Sequence, residues 1–501
     1  MNAVSRGRAG ILLTGICLVA VLVGWLVSRL AVEWVLALVL GAIAVGLIFY
    51  DYRVGAVCLT ILLPWSWSPL LPQTSGFNII NFVLLASVGS LLLSRFSAKE
   101  KLVGLPREVL WFYLLPIALA VLIAWQYLPI GEMNFPARIE SGMRDSMFTP
   151  SNFLKSRVIK PLFFVVYAIL LANAVRESKR PEWFLLPLGI SAVIPALTIV
   201  ALTLSGIDVT DRELDYLSGL GLQVNEFGTL LALAVGPLLY VTVGSGSRWI
   251  RTFAGVAFAI VSAGLVMTAS RGAVVAYLVV LAVWLLRRRR LSDLLLGVVV
   301  AGLLAVAMPE QVQERLIQGL DGVGAKDLRD SSDPLTMGRG FIWDKLAPDF
   351  LDSPIWGKGL GSTAWNTAVT SGRLSIGHPH NMYLSILLDL GIFGIAVLGY
   401  LYYRYGRAMY RLSKESTLSP LMRDYFSGAF AAYLGYACFL FVGGYYTPHP
   451  EQTFLWFSLA FCYAYWHLAQ TQSSNRLARR KAYGLPVREP VAARRESDFR
   501  R

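Results

Sequence analysis

The chain is 501 residues long, carries 45 Lys and Arg against 31 Asp and Glu for a net charge of +14, and is 56% hydrophobic with only 15% charged residues. A soluble domain carries about 25% charge, so a chain this apolar lacks the polar groups to cover itself in water and reads as a polytopic membrane protein. Cys17, Cys58, Cys438 and Cys462 all fall inside apolar stretches, which excludes a disulfide-stapled secreted domain.

A membrane-crossing helix needs about 20 mostly apolar residues. In chain order such stretches lie near 10–28, 33–50, 55–71, 77–94, 109–128, 158–174, 183–204, 226–243, 250–268, 272–286, 291–308, 381–403, 425–442 and 452–469. The second to fourth are short and closely spaced, so the expected fold class is an all-α polytopic membrane protein with 12–14 transmembrane helices and one large outer loop. The first span follows Arg6 and Arg8, as a signal peptide would, but it lacks a small-x-small cleavage site and runs into Trp25 and Arg29. It is expected to remain as an uncleaved helix.

The organisation that follows is 1–308 for the first eleven spans, 309–380 for the large outer loop, 381–470 for the C-terminal spans, and 471–501 for a tail rich in Arg and Ala. Such a tail is expected to lie disordered at the inner membrane surface. With the N-terminus inside, the basic segments 94–108, 176–180, 287–290 and 404–423 and the tail all face the cytoplasm, and acids outnumber bases outside. The net charge is thus a topology signal, and no nucleic-acid partner is expected; membrane lipids are. Smaller outer loops fall at 129–157, 205–225 and 443–451. Loops this long between membrane helices carry function or a lid.

Three of the four histidines, His378, His380 and His449, fall on the outer side, and His467 ends the last span on the inner side. Histidine is the side chain best suited to proton transfer near neutral pH. His380 and Asn381 open a helix for which Asn381 is a suitable N-cap. His380, Leu384, Leu387, Gly391 and Gly394 would share one stripe, whose glycines admit a neighbouring helix or a lipid chain. Asp389 lies on the opposite side and needs a partner, either an arginine from another helix or, as a protonated carboxyl, a helix backbone. His378 and His380 have no surrounding acidic triad, so no metal and no cofactor are expected.

The run from His380 to Gly394, His-Asn followed by nine residues, Gly391, two residues and Gly394, resembles the signature of bacterial O-antigen ligases, within the wider superfamily of O-antigen ligases and polymerases. Asp389 stands where Glu is commoner. Other similar pieces follow in order: Gly221 to Phe227 with Asn225 and Glu226, then Ser270-Arg271-Gly272, then Gly338-Arg339, Trp343 and the glycine-rich stretch from Ser353 to Gly361. The resemblance covers about 225–466.

It implies an enzyme that takes a glycan from an undecaprenyl-diphosphate-linked donor on the periplasmic face of the bacterial inner membrane. The acceptor is a hydroxyl, on lipid A–core or on another glycan or protein acceptor. Arg271, at the start of a helix, and Arg339, on the large loop, would hold the diphosphate, although a snorkelling or solvated arginine explains either position as well. The residues after Arg339 (Phe341, Ile342, Trp343, Leu346, Phe350 and Leu351) repeat with helical period and read as an interfacial helix. His380 would act as general base in a metal-independent, inverting transfer. Asn225, His378, Asn381, Arg157 and His449 are possible substrate contacts. For Asn225 a helix N-cap, and for His449 a structural role in a rigid turn, are the competing readings. Arg138, Arg144, Lys155 and Lys160 extend the basic stretch around Arg157 and would guide an anionic acceptor or anchor lipid headgroups. A polymerase of the same superfamily is the nearest rival, and a transporter of lipid-linked sugars a more distant one. The transporter would need ionisable residues at mid-membrane on several helices, where only Asp389 is found.

Overall fold

The computed structural model describes residues 41, 43–69, 71, 73–74, 77–98, 106–128, 149–205, 217, 220–244, 246–288, 310, 312–313, 339–374 and 378–465. The expected spans 10–28 and 291–308, the first part of 33–50, the tail 471–501, and Arg138 and Arg144 lie outside the described residues. Within them the regular secondary structure is helical apart from a two-stranded hairpin pairing Gln73–Thr74 with Phe77–Asn78. Besides a helical stretch at 43–50 and a single turn at Thr367–Thr370, the helices are α1 (Tyr52–Leu62), α2 (Ile79–Ala98), α3 (Arg107–Trp125), α4 (Pro150–Glu177), α5 (Pro181–Leu204), α6 (Val224–Thr242), α7 (Arg248–Met267), α8 (Arg271–Arg288), the short α9 (Arg339–Leu346) and α10 (Pro348–Asp352), α11 (Met382–Leu412), α12 (Pro420–Phe439) and α13 (453–465).

Among the described residues seven helices, α2 to α7 and α11, are long and apolar enough to cross a membrane, and the protein is an all-α polytopic membrane protein. The expected span 55–71 is not one long helix. Pro64 has no N–H to continue α1, which tightens into a 3₁₀ turn at Leu63–Trp65 and then turns into the hairpin. α6 is buried along nearly its whole length and packs against α7, α8 and α12. Its crossing with α12 is close because Gly236 and Gly428 face each other, and a Cβ on either would stand 2.3 Å from the other's carbonyl oxygen. Large apolar side chains such as Leu85, Leu122 and Val256 remain exposed on α2, α3 and α7, as expected of lipid-facing surfaces.

The decisive departure from regular helix is in α11. Gly391 adopts φ 65° and ψ −160° inside it, so Ile392 and Phe393 cannot donate to the carbonyls four residues back. The loop supplies both lost partners. Ile392 N–H donates to Pro354 O at 2.8 Å and Phe393 N–H to Ile355 O at 3.2 Å. The two carbonyls left over, Leu388 O and Asp389 O, accept from Lys358 N–H at 2.8 Å and Gly359 N–H at 2.9 Å. A backbone break at this depth is tolerable only where protein satisfies every freed group. The expected stripe is therefore interrupted, and Gly391 serves neither a neighbouring helix nor a lipid chain: a Cβ there would stand 2.3 Å from Ile355 O. At Gly394 a Cβ would meet Leu390 and Ile386 of α11 itself.

The expected interfacial helix is two helices, α9 and α10, turned by Pro348. Leu346 is buried in a small cluster with Ala368, Val369, Leu374 and Leu388, while Phe341 and Leu351 are exposed.

Gly391→Ala combines a left-handed backbone with a collision against fixed backbone, and is expected to destabilise the protein by at least about 2 kcal/mol. Gly399→Ala, whose Cβ meets nothing within 4 Å on the same helix, is expected to be neutral or mildly stabilising. Thermal unfolding of the two variants in detergent measures the difference.

Candidate active site at one end of the bundle

The polar residues of the bundle separate to its two ends. At one end Arg95 pairs with Glu177, Arg404 with Glu108 at 2.9 Å, and Ser419 Oγ donates to Glu182. The other end gathers the histidines. Asn381 caps α11 by accepting from Leu384 N–H at 3.0 Å, as its residue type predicts, which commits its side-chain oxygen to the helix. Trp343 on α9 donates its indole N–H to Pro379 O at 2.9 Å and ties the large loop to the His378–His380 segment. His380 sits just before the cap with φ 52°, a left-handed conformation that costs free energy and is found most often where a side chain must be aimed. Its backbone N–H donates to His378 Nδ1 at 2.9 Å, which leaves the proton of a neutral His378 on Nε2.

From His380 a chain of rings runs inward. The His378 and His380 rings are 5.5 Å apart, His378 and Tyr445 4.5 Å, and Tyr445 stacks on His449 at 4.3 Å. Trp67, from the turn after α1, meets the other side of His449 edge-on at 4.0 Å and lies under Lys160. Burial, then the charges of Arg157 and Lys160, hold the His449 pKa well below its ordinary value. His378 is lowered likewise by burial, His380 and Arg157. His380 has an exposed face, yet the protein around its ring and the positive Arg339 beside it push its pKa down to about 4. All three rings are neutral at physiological pH, and the positive charges of Arg157, Lys160 and Arg339 act on them. Neutral imidazole accepts protons, and surrounding guanidinium and ammonium groups favour an anionic ligand.

His449 also lies between two carboxylates, with Nε2 3.8 Å from Glu226 Oε1 and Nδ1 4.0 Å from Glu451 Oε2. These separations are too long for hydrogen bonds, and His449 Nδ1 and Glu451 Oε1 are buried with no hydrogen-bond partner. The sequence showed no acidic residues around the paired histidines; the fold places them around the third. The three side chains offer ligand atoms within 4.8 Å of one another. A divalent cation would need Glu451 deprotonated, whereas burial and the neighbouring Glu226 raise its pKa well above the usual carboxylate range. The nearby Arg157 and Lys160 charges also oppose a cation there.

Asn225 is the second residue of α6, not its cap. Gln223 caps the helix in a reciprocal arrangement with Glu226, and Asn225 Oδ1 instead accepts from Ser270 Oγ at 2.6 Å. That bond fixes the start of α8, where Arg271 stands half-buried. Arg157 is half-buried in a π-helical turn of α4, and Lys155 is exposed on the same turn.

Asp389 has neither an arginine nor a helix backbone as partner. It accepts from Gly361 N–H at 3.0 Å, Ser362 N–H at 2.9 Å, Ser362 Oγ at 2.6 Å and Tyr446 Oη at 2.6 Å. One carboxylate thus pins the glycine-rich loop and the Tyr445–Tyr446 turn to α11. Burial and Asp389 hold the Tyr446 phenol well above its ordinary pKa, so it remains a donor. Trp67, the bond from Tyr446 to Asp389 and the inward-facing roles of Glu226 and Glu451 escaped the sequence reading. The rigid turn around His449 was the only advance sign of the Tyr446 and Glu451 positions.

Residues 256–399 match the family model described as O-antigen ligase. The matched stretch contains Arg271, Arg339, His378, His380, Asp389 and Gly391, and it bears out the resemblance read from the sequence. A Rickettsia conorii protein, named by inference a polysaccharide ligase, is 30% identical over 95 residues, which is 17% of this chain and 23% of that protein. The chain therefore spans less than a quarter of that relative's length in the match.

Asp389→Asn would turn an amide N–H₂ toward donors that need an acceptor, with an expected cost of about 2–4 kcal/mol; Tyr446→Phe, which removes one donor, should cost about 1 kcal/mol. Limited proteolysis within 339–374, together with thermal unfolding, measures whether the loop is released in that order.

Proposed function

We propose that this protein is a membrane glycosyltransferase of the O-antigen ligase type. It would take a glycan from undecaprenyl diphosphate and join it to a hydroxyl of lipid A–core, or of another glycan or protein, on the periplasmic face of the bacterial inner membrane. The observation that carries the reading is the gathering, within and beside the matched segment, of neutral His380 and the positive charges of Arg339 and Arg157 at one end of the bundle. The side of the membrane follows from the positive-inside distribution of the sequence.

In this reading Arg339 and Arg271 hold the diphosphate and stabilise the charge that grows on it as the bond from anomeric carbon to phosphate oxygen breaks. The acceptor hydroxyl attacks the opposite face of that carbon, and its proton passes to the imidazole of His380. The configuration inverts. Diphosphate leaves readily, so neither a general acid nor a metal is needed. His378 orients the His380 backbone, Asn381 fixes the helix that carries it, and Asn225 acts through Ser270 on the start of α8. Tyr445, half-buried, offers a ring on which a sugar can stack, and the buried His449 ring supports it from behind.

The test is transfer by the purified protein from a lipid-linked glycan to lipid A–core, read on gels. His380→Ala is expected to lower the rate by about 10²–10⁴, and Arg339→Gln or Arg271→Gln by about 10²–10³. Full activity in His380→Ala would remove it as the base, and product made only of lengthened lipid-linked polymer would mean a polymerase. Chelation with EDTA should leave the rate unchanged.

The pH dependence separates His380 from an ordinary histidine. With its pKa lowered to about 4, the basic form is present at all pH values above roughly 5. The acid limb of kcat/KM is therefore expected near pH 4, with a flat rate through neutrality, where an unperturbed histidine would place the limb near 6.5. Arg339→Gln removes a positive charge and should move the limb upward.

A further inference from the structure

A large cavity lies at the opposite end of the bundle from the histidines. It measures about 960 Å³ and is walled by α3, α4, α11 and α13. Its depth is apolar and aromatic, with Phe112, Ala168, Trp456 and Leu459 among the lining. Its mouth is charged. Arg404, Arg407 and Arg411 recur on α11 at three- and four-residue spacing, so they share one face of that helix, and Arg107 joins them from α3. The carboxylate among these lining residues, Glu108, is paired with Arg404 at 2.9 Å. The mouth therefore carries four guanidinium groups against one carboxylate.

A cavity with an apolar floor and a strongly cationic rim between membrane helices matches an amphiphile with an apolar tail and an anionic head. We propose that this cavity is a binding site for a membrane phospholipid with an anionic headgroup, its phosphate held at Arg404, Arg407 and Arg411 and an acyl chain lying between α3, α11 and α13. Charge argues against the chain's own termini as the occupant. The segment 466–501 carries nine Lys and Arg against three acids, and 1–40 carries three arginines against one acid. Both would bring more positive charge to a positive rim. The site lies on the end that the charge distribution of the sequence assigns to the cytoplasm, where anionic lipids attract basic pockets. It is separate from the proposed transfer site and does not depend on it.

The experiment is native mass spectrometry of the full-length protein released from detergent, titrated with phosphatidylglycerol and, in parallel, with phosphatidylcholine. Selective retention of phosphatidylglycerol is expected. The triple variant Arg404→Gln/Arg407→Gln/Arg411→Gln should lose about a hundredfold in apparent affinity, at roughly fivefold per guanidinium near an anionic group. Arg248→Gln/Arg251→Gln removes two charges at the start of α7, outside the cavity, and should change little. Equal loss in both variants would mean diffuse attraction and overturn the site. Ala408→Trp keeps the arginines and fills the cavity, so undiminished retention in that variant would also overturn it. Equal retention of the two lipids, or preference for a polyprenyl phosphate over phosphatidylglycerol, would do the same. Size-exclusion and thermal unfolding of each variant establish that it is folded before the comparison is made.

Discussion

The exchange of backbone hydrogen bonds at Gly391 is the constraint on which the site depends. A helix broken in the apolar interior exposes two N–H groups and two carbonyls, each costly to leave unmet where water is absent. Here the four groups are met by four groups of the loop stretch 354–359, so helix and loop are each incomplete without the other. Asp389, two residues earlier, adds four further acceptor contacts to the same loop and to Tyr446. The region expected to be a large outer loop is, over this stretch, part of the folded bundle. The His378–His380 segment and the Tyr445–His449 turn are held between these fixed parts.

The electrostatics of the two ends differ in kind. Around the histidines, positive side chains surround rings kept neutral by burial, so charge is available to a ligand while the bases stay unprotonated. That combination suits an anionic ligand, and a protonated imidazole would have no capacity to take a proton. At the far end, arginines and glutamates tie α2 to α4 and α3 to α11, and the surplus of arginine stands over an apolar cavity. The Glu226–His449–Glu451 group sits between these regimes. Its two carboxyls share one buried space, and the histidine between them is the inner end of the ring chain that leads to His380.

Much of this was legible in the sequence, because apolar length and charge placement act locally. About 20 apolar residues oblige a helix in lipid whatever surrounds them, and all seven of the long apolar helices α2 to α7 and α11 fall where the composition put them. The Asn381 cap was equally legible, since a cap bonds to its own helix three residues on. The spacing of His380, Gly391 and Gly394 marked the matched family segment. What the spacing did not reveal was the purpose of Gly391. Helical periodicity assigns every residue a face, and it has no term for a backbone that leaves the helix.

The sequence by itself determined that the protein is a stack of membrane helices, which end of that stack is basic, and which segment carries the histidines and arginines of a ligase-like family. Tertiary structure alone decided the partners. Asp389 was expected to need an arginine or a helix backbone and has a loop and a tyrosine; Asn225 fixes α8 instead of capping α6; Trp67, more than 380 positions away in the chain, packs on His449. The reason is physical. Helix formation and membrane insertion are settled by short-range composition, whereas the partner of a buried polar group is whichever distant segment the packing brings within about 3 Å of it.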